Sequence, residues 1–215
     1  MNRPSESLRM PGSYFQLVLR QCGTTRELRE AILEGTGVSL DSLEGSGGEI
    51  TLGQQLRQLR NINHLFPAGV ALAVGAPFEP VAHGPLGFAA VSAPTLGAGL
   101  EVLARYCQVR NPTHSGRAWQ KGDEFRPAFE ERCALEDEER LPLIETFPLS
   151  LQGLVEAVLG GPMTEGRFEI AAPAPSYAAR YRDYFHAEVR FGAEHTCIVI
   201  PTRWLALACP HADPG

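Results

Sequence analysis

Residues 125–147 read FRPAFEERCALEDEERLPLIETF. Two runs rich in apolar residues flank the acidic tip Glu136–Glu139. Apolar side chains recur at alternate positions in each run, which is the period of a strand with one buried face. A short polar connection between two such runs is typical of a β-hairpin. The segment therefore predicts an antiparallel hairpin with strands near residues 126–135 and 140–147.

Each buried face of this predicted hairpin is apolar except for one glutamate, Glu131 in the first strand and Glu145 in the second. Pairing the strands around Glu138 sets Glu131 opposite Glu145, whereas a one-residue slip mixes the two faces. When two carboxylates are adjacent, the negative charge of one raises the pKa of the other unless a cation lies beside them. Three outcomes remain open: an arginine such as Arg117 or Arg167 neutralises the pair, the face is solvated, or the pair receives a cationic ligand such as an amine.

Apolar spacing and breaking residues predict the other elements. We expect helices at about 13–22, 25–34, 51–64, 95–107, 150–160 and 176–186. We expect further strands near 86–91, 167–172, 188–192 and 196–201. Capping-box pairs begin two of the helices, Thr24 with Glu27 and Thr51 with Gln54. The glycine-rich residues 45–48 predict a loop.

This order of elements indicates an α+β fold. Amino-terminal helices precede a duplicated strand–helix–strand–strand unit with a mostly antiparallel sheet. We expect residues 1–12 to be a disordered or flexible tail and residues 13–208 to form the domain. Its helical part covers about residues 13–75 and its α+β part about 76–208. Residues 209–215 are expected to begin a linker.

Composition excludes several classes of protein. The 215 residues are 44% hydrophobic and 20% charged, which is typical of a globular chain. Apolar runs fall far short of the roughly 18 residues of a membrane span. A net charge of −6 disfavours binding of nucleic-acid phosphates by this chain. The five cysteines lack C-x-x-C spacing, so we expect a reducing, cytoplasmic location without disulfides or a zinc site.

Motifs of catalysis are missing from the sequence. It contains no G-x-S-x-G elbow, no phosphate loop with Lys-Ser/Thr and no H-E-x-x-H pair. We therefore predict no enzyme, no cofactor and no metal site. His83 is either a turn residue before Gly84 or a ligand contact. Tyr177, Tyr181 and Trp119 are either core residues or the wall of an aromatic pocket.

Several segments resemble the amino-terminal effector domain of AraC-type transcription regulators. They are residues 83–89 (HGPLGFA), residues 100–106 (LEVLARY), residues 181–193 (YRDYFHAEVRFGA) and the ending at 204–214 (WLALACPHADP). The likeness is to the arabinose-binding-domain subfamily, which includes ornithine-utilisation-type regulators, and it covers most of the chain. The chain departs from the family at residues 186–188, where a glycine and a proline are common.

The resemblance implies a regulatory domain that binds a small organic effector and forms a homodimer. DNA would be contacted only through a carboxy-terminal helix-turn-helix domain, which we expect to lie outside this chain. The alternative is a dimerisation or protein-interaction module without a small-molecule ligand. The ligand-binding residues that we predict are Glu131, Glu145, Trp119, Tyr181, Tyr177 and Phe88.

Overall fold

The computed structural model describes residues 6–43, 48–76 and 78–212. Its helices are α1 (Ser13–Cys22), α2 (Arg26–Leu33), α3 (Leu52–Leu65), α4 (Val70–Gly75), α5 (Pro85–Val91), α6 (Leu96–Arg110) and α7 (Asp137–Leu159). Its strands are β1 (Arg9–Pro11), β2 (Glu49–Thr51), β3 (His114–Lys121), β4 (Glu124–Glu131), β5 (Arg167–Ile170), β6 (Glu188–Phe191) and β7 (Cys197–Pro201). Short 3₁₀ helices lie at Asp41–Leu43, Pro80–His83, Ala178–Asp183 and Thr202–Ala206.

Four predicted helices are confirmed as α1, α2, α3 and α6, and side-chain caps explain where three of them begin. Thr51 and Gln54 form the predicted capping box at the start of α3. The Thr95 hydroxyl accepts a backbone N–H at 3.3 Å at the start of α6. At α2 the cap is Thr25, one residue after the predicted Thr24, because its hydroxyl accepts a backbone N–H at 3.2 Å. Such caps act within four residues and are therefore readable from local sequence.

The predicted strand at residues 140–147 is wrong. These residues belong to α7, which also contains the helix predicted at 150–160. Glu136 and Glu139 form a capping box at its start. Acidic side chains in the first turn interact favourably with the helix dipole. The acidic segment therefore begins a long helix instead of connecting two strands.

Pro142 lies inside α7, where proline removes the N–H that would bond the carbonyl of Glu138. That carbonyl instead accepts a hydrogen bond from the Asn63 side-chain amide at 2.6 Å. A side chain of α3 thus replaces the missing helical bond. The helix thus accommodates Pro142 through a contact that the local sequence pattern does not contain.

The predicted strand at residues 86–91 is also wrong, because this segment forms α5. Pro85 occupies the first turn, where its fixed φ and missing N–H are tolerated. Gly84 precedes it at a φ of +58°, a conformation that L side chains rarely adopt. The observed hairpin joins β3 to β4 through Gly122, also at positive φ. The strand β3 occupies a segment for which no element was predicted.

Five strands form the main sheet in the order β3–β4–β7–β5–β6. Among the described strands of this sheet, only β5 and β6 pair in parallel. The α+β class and the mostly antiparallel sheet are therefore confirmed, as are the last three strands. The duplicated unit is wrong, because two of the strands predicted for its first copy are helical. The helix predicted at 176–186 is reduced to the 3₁₀ helix Ala178–Asp183.

A second sheet pairs β1 with β2 in antiparallel orientation. Met10 in β1 is buried, so residues 9–11 form a packed strand where a flexible tail was predicted. Residues 1–5 of that tail lie outside the described residues. The same holds for residues 45–47 of the predicted loop and residues 213–215 of the predicted linker.

The apolar side chains form two main cores. The helical core lies between α1, α2, α3 and the first part of α7, where Leu143 is buried. The sheet core lies between α5, α6, the main sheet and the second part of α7, where Leu149 and Leu154 are buried. Helix α7 therefore contributes to both cores. In the described part of the chain, no helix is both long enough and apolar enough to span a membrane.

Candidate ligand cavity

The predicted pairing of Glu131 with Glu145 is wrong, because Glu131 ends β4 and Glu145 lies in α7. Arg140 binds Glu131, with 2.8 Å between Nε and Oε2. Arg117 and Arg167, which were candidates to neutralise the pair, bind other carboxylates. The structure therefore removes the geometric basis for a cationic ligand held between two glutamates.

Glu145 is a buried carboxylate that two tyrosines satisfy. The hydroxyls of Tyr177 and Tyr181 both donate to its Oε1, at 2.8 and 2.7 Å. Burial raises the pKa of Glu145. Burial is also the main cause of the raised pKa of both tyrosines, and the nearby Glu145 carboxylate raises it further. The two tyrosine rings stack on each other, and Tyr181 belongs to the sheet core. The tyrosines thus satisfy a carboxylate inside the fold.

Trp119 and Phe88 lie apart from these residues. Trp119 packs against a small cluster formed by β4 and β7 and makes an edge contact with His195. The Phe88 side chain, on α5, is exposed. Neither residue lines the cavity described next, and neither do Glu131, Glu145, Tyr177 or Tyr181.

An apolar cavity of about 100 Å³ lies between the helical core and the hairpin. Helices α1, α3, α4, α6 and α7 and both hairpin strands contribute to its wall. Apolar members of the wall include Met10, Val18, Val74, Leu103, Phe129 and Leu143. An apolar cavity with a few polar groups is the usual form of a small-molecule site. Because both cores contribute residues, an occupant would contact both parts of the domain.

Tyr14, His83 and Arg110 form a polar cluster in this wall. The Tyr14 hydroxyl and His83 Nδ1 are 2.6 Å apart. The Arg110 guanidinium carbon lies 4.5 Å from the centre of the Tyr14 ring, and its Nη2 donates to the Ser13 hydroxyl at 2.6 Å. Burial, together with the charge of Arg110, lowers the pKa of His83 to about 4. At neutral pH, Arg110 therefore carries the positive charge of the cluster.

Two buried polar atoms of the cavity wall lack a hydrogen-bond partner among the described residues. They are Nε of Arg110 and Oε1 of Gln55. The two residues are only 9% and 7% exposed. A buried polar group without a partner costs about 1–3 kcal/mol. Both atoms belong to residues of the cavity wall, so a ligand that reaches them with complementary groups would satisfy them.

The wall also contains His114 of β3, which is buried. Burial lowers its pKa to about 4. One ring nitrogen lies 2.8 Å from the Thr113 hydroxyl, and the ring packs edge-on against Phe147 of α7. Like His83, it is neutral at pH 7, so neither histidine adds charge to the cavity.

The described residues contain no group of three His, Cys, Asp or Glu side chains that could hold a metal ion. All five cysteines are buried and free. Burial raises the pKa of each thiol, so these groups resist forming the reactive thiolate.

Sequence reasoning missed Arg110 and Gln55, although both carried a signal. Arg110 continues the apolar stripe of α6 three residues after the buried Cys107. Gln55 lies three residues after Leu52 on the stripe of α3. A polar side chain inside an apolar helical stripe is buried by the fold and so needs a partner. His83 was considered as a ligand contact, and it does line the cavity.

Known proteins are similar to this chain in sequence or in fold. The ornithine utilization regulator of Pseudomonas aeruginosa is 23% identical over 217 residues, which cover 96% of this chain and 61% of that protein. The chain thus spans about three fifths of its curated relative. The crystal structure of the transcriptional regulator CdpR from Pseudomonas aeruginosa is similar to this fold, with a TM-score of 0.56 and 15% sequence identity. The match covers 67% of this chain and 47% of the CdpR chain. At that identity the match supports the fold alone.

A family model describes most of the chain. Residues 29–209 match the arabinose-binding domain found at the amino terminus of AraC transcription regulators. This agrees with the resemblance of residues 83–89 and 181–193 and with the α+β architecture. The chain therefore belongs to the family of amino-terminal arabinose-binding domains of AraC transcription regulators.

Proposed function

We propose that this domain senses a small organic effector, which occupies the cavity between the helical core and the hairpin. Membership of a regulator family supports a regulatory role. The observation that carries the proposal is the pair of buried polar atoms without a partner, on Gln55 and Arg110, in a mostly apolar wall. An effector with complementary polar groups would satisfy both atoms and fill apolar volume.

Differential binding would convert occupancy into a signal. Residues of both cores line the cavity, so a ligand would favour the arrangement of the two parts that fits it best. In a regulator as long as the ornithine utilization regulator, the remaining residues would carry DNA binding. The effector would then bias that part through the coupling free energy between the two sites.

Ligand-induced stabilisation tests the proposal. It is measured on the wild-type domain and on two variants that each replace one alanine of α4 with leucine. Ala71 lines the cavity, whereas Ala73 on the same helix is exposed. The compounds are a set of metabolites that includes ornithine, because the relative's name refers to its utilization. A ligand at 100 times its Kd stabilises the fold by about 2.7 kcal/mol. We expect a compound that stabilises the wild type and Ala73→Leu but not Ala71→Leu.

Two results would contradict the proposal. One is equal stabilisation of all three proteins by the same compound, which would place its site elsewhere. The other is that no metabolite in the set stabilises the wild type, which would favour a protein-interaction module without a ligand. Circular dichroism of Ala71→Leu shows whether the larger side chain leaves the fold intact.

A further inference from the structure

We infer that the effector is an anion with a compact apolar body, and that Arg110 binds its carboxylate group. The inference rests on the proposed function, because it names the chemistry of the ligand for the same cavity. It goes beyond that proposal in assigning a charge, a size and a recognition residue.

The charge of the effector follows from the charge of the wall. Arg110 is buried and lines the cavity, and no Asp or Glu of the described residues lines it. Arg110 also forms no ion pair with a described carboxylate. The two cavity histidines, His83 and His114, are neutral at pH 7 because burial lowers the pKa of each to about 4. A buried cation without a counter-ion is costly, so this wall favours an anionic ligand.

The guanidinium is positioned for an incoming carboxylate. The Tyr14 ring lies against the guanidinium at 4.5 Å, and Ser13 accepts a hydrogen bond from Nη2. Both contacts restrict the orientation of the Arg110 side chain. Its Nε–H has no partner among the described residues. A planar guanidinium with a free N–H matches the geometry of a carboxylate better than that of any cation.

The size and body of the effector follow from the rest of the wall. A volume of about 100 Å³ is of the order of an apolar cavity that holds benzene. Met10, Val74, Leu103 and Phe129 provide apolar contacts. This volume limits the effector to a small aromatic or short-chain acid, and benzoate and hexanoate are probes of that class. An ammonium group is disfavoured, because its positive charge would lie near Arg110.

The experiment compares acids with uncharged and cationic analogues of the same shape. Isothermal titration calorimetry at pH 7 on the full 215-residue chain measures benzoate against benzamide and benzylamine, and hexanoate against hexanamide and hexylamine. A hydrogen bond to a charged group contributes more than a neutral one. We expect at least one acid to bind at least about tenfold more tightly than its amide, and neither amine to bind more tightly than its amide.

Variants then assign the effect to one residue. Arg110→Met should weaken acid binding at least about tenfold and change amide binding by less than about threefold. Arg105→Met removes an exposed arginine from the same helix and should leave both affinities unchanged. If Arg110→Met does not fold, the comparison of acid, amide and amine on the wild-type chain decides the inference by itself.

The outcomes separate this inference from the proposed function. Amides that bind as tightly as the acids, or amines that bind more tightly, would overturn the anionic assignment and leave the cavity as an effector site. Equal loss of acid and amide binding in Arg110→Met would show a packing role only, which also overturns it. Absence of binding by all six compounds would overturn the inference, while the Ala71→Leu screen decides the proposed function independently.

Discussion

At the scale of single residues, burial determines which groups of the cavity are charged. His83 and His114 come from separate segments, yet both are buried and both have a pKa lowered to about 4. The physical cause is the same, because burial disfavours the charged imidazolium. Arg110 is thereby left as the cation of a wall whose other polar groups are neutral. This contrast between neutral histidines and a charged arginine gives the cavity its preference for an anion.

The lowered pKa values predict loss of stability in acid. A histidine with a pKa near 6.5 in the unfolded chain and about 4 in the fold stabilises the folded state fully above pH 6.5. That contribution is lost as the pH falls from 6.5 to 4, because the unfolded chain binds the proton more tightly. Each histidine contributes up to about 3 kcal/mol over this interval. Urea unfolding between pH 7 and 4.5 measures the slope of unfolding free energy with pH.

A pair of variants controls this measurement. His83→Gln removes one of the two groups and should make the slope shallower, whereas His211→Gln removes an exposed histidine and should leave it unchanged. Burial raises the pKa of Glu145, so its contribution has the opposite sign and is lost as the pH rises. Equal slopes for the wild type and His83→Gln would contradict the assignment of His83.

At the scale of elements, the cavity depends on how closely α6 approaches the hairpin. Arg110, Cys107 and Leu103 all reach the cavity from α6, and α6 packs directly on β3. Gly116 in β3 makes this approach possible. A Cβ atom at this position would lie 2.2 Å from the Cα atom of Ala104 in α6. The contact is between two backbones, so no flexible side chain can move aside.

We predict that Gly116→Ala lowers the free energy of unfolding by at least about 2 kcal/mol, since overpacking of this kind costs 1–3 kcal/mol and the clash here is with backbone. The matched control is Gly161→Ala, where an added Cβ atom would meet nothing within 4 Å. Urea unfolding of both variants at pH 7 gives the two values. A loss of stability no larger in Gly116→Ala than in Gly161→Ala would show that α6 and β3 can separate at little cost.

At the scale of the whole molecule, α7 joins the amino-terminal helices to the sheet. Leu143 of α7 belongs to the helical core, and Leu154 belongs to the sheet core. Arg60 of α3 forms an ion pair with Glu139 in the first turn of α7, and the Asn63 side-chain amide donates to the carbonyl of Glu138. Helix α7 lies wholly within the segment expected at 76–208 but packs against the segment expected at 13–75, so separation of the two segments would break these contacts.

We predict that both segments unfold in a single transition. Far-UV circular dichroism reports the helices of both, whereas Trp119 and Trp204 report residues of the second segment only. The two signals should give the same midpoint in urea, because coincident transitions are the test of two-state unfolding. Leu143→Ala and Leu154→Ala should each lower the free energy of unfolding by about 2–5 kcal/mol. Each variant should lower the urea midpoint of both signals by the same amount. A dichroism signal that falls at a lower urea concentration than the fluorescence would show that the amino-terminal helices unfold separately.

The sequence by itself determined the elements whose evidence is local. Helices α1, α2, α3 and α6 follow from apolar residues three and four positions apart and from caps that act within four residues. Strands β5 and β6 follow from alternation of apolar residues, and β7 follows from the continuous apolar run of residues 197–200. Together these elements sufficed for the α+β class, and the segments at 83–89 and 181–193 sufficed for the family resemblance. Each of these signals depends on residues that are close together in the chain.

Only the tertiary structure decided that residues 137–159 form one helix, and only the tertiary structure decided where the cavity lies. Over seven residues, the apolar pattern of 141–147 fits a strand or a buried helix, and Pro142 is unfavourable in the interior of either. Asn63, 75 residues before Glu138, bonds the carbonyl freed by Pro142 and so replaces the helical bond that this proline removes. The cavity likewise depends on Tyr14 meeting His83 across 69 residues of sequence. Contacts at such separation exist only after the two cores have packed, so no local periodicity contains them.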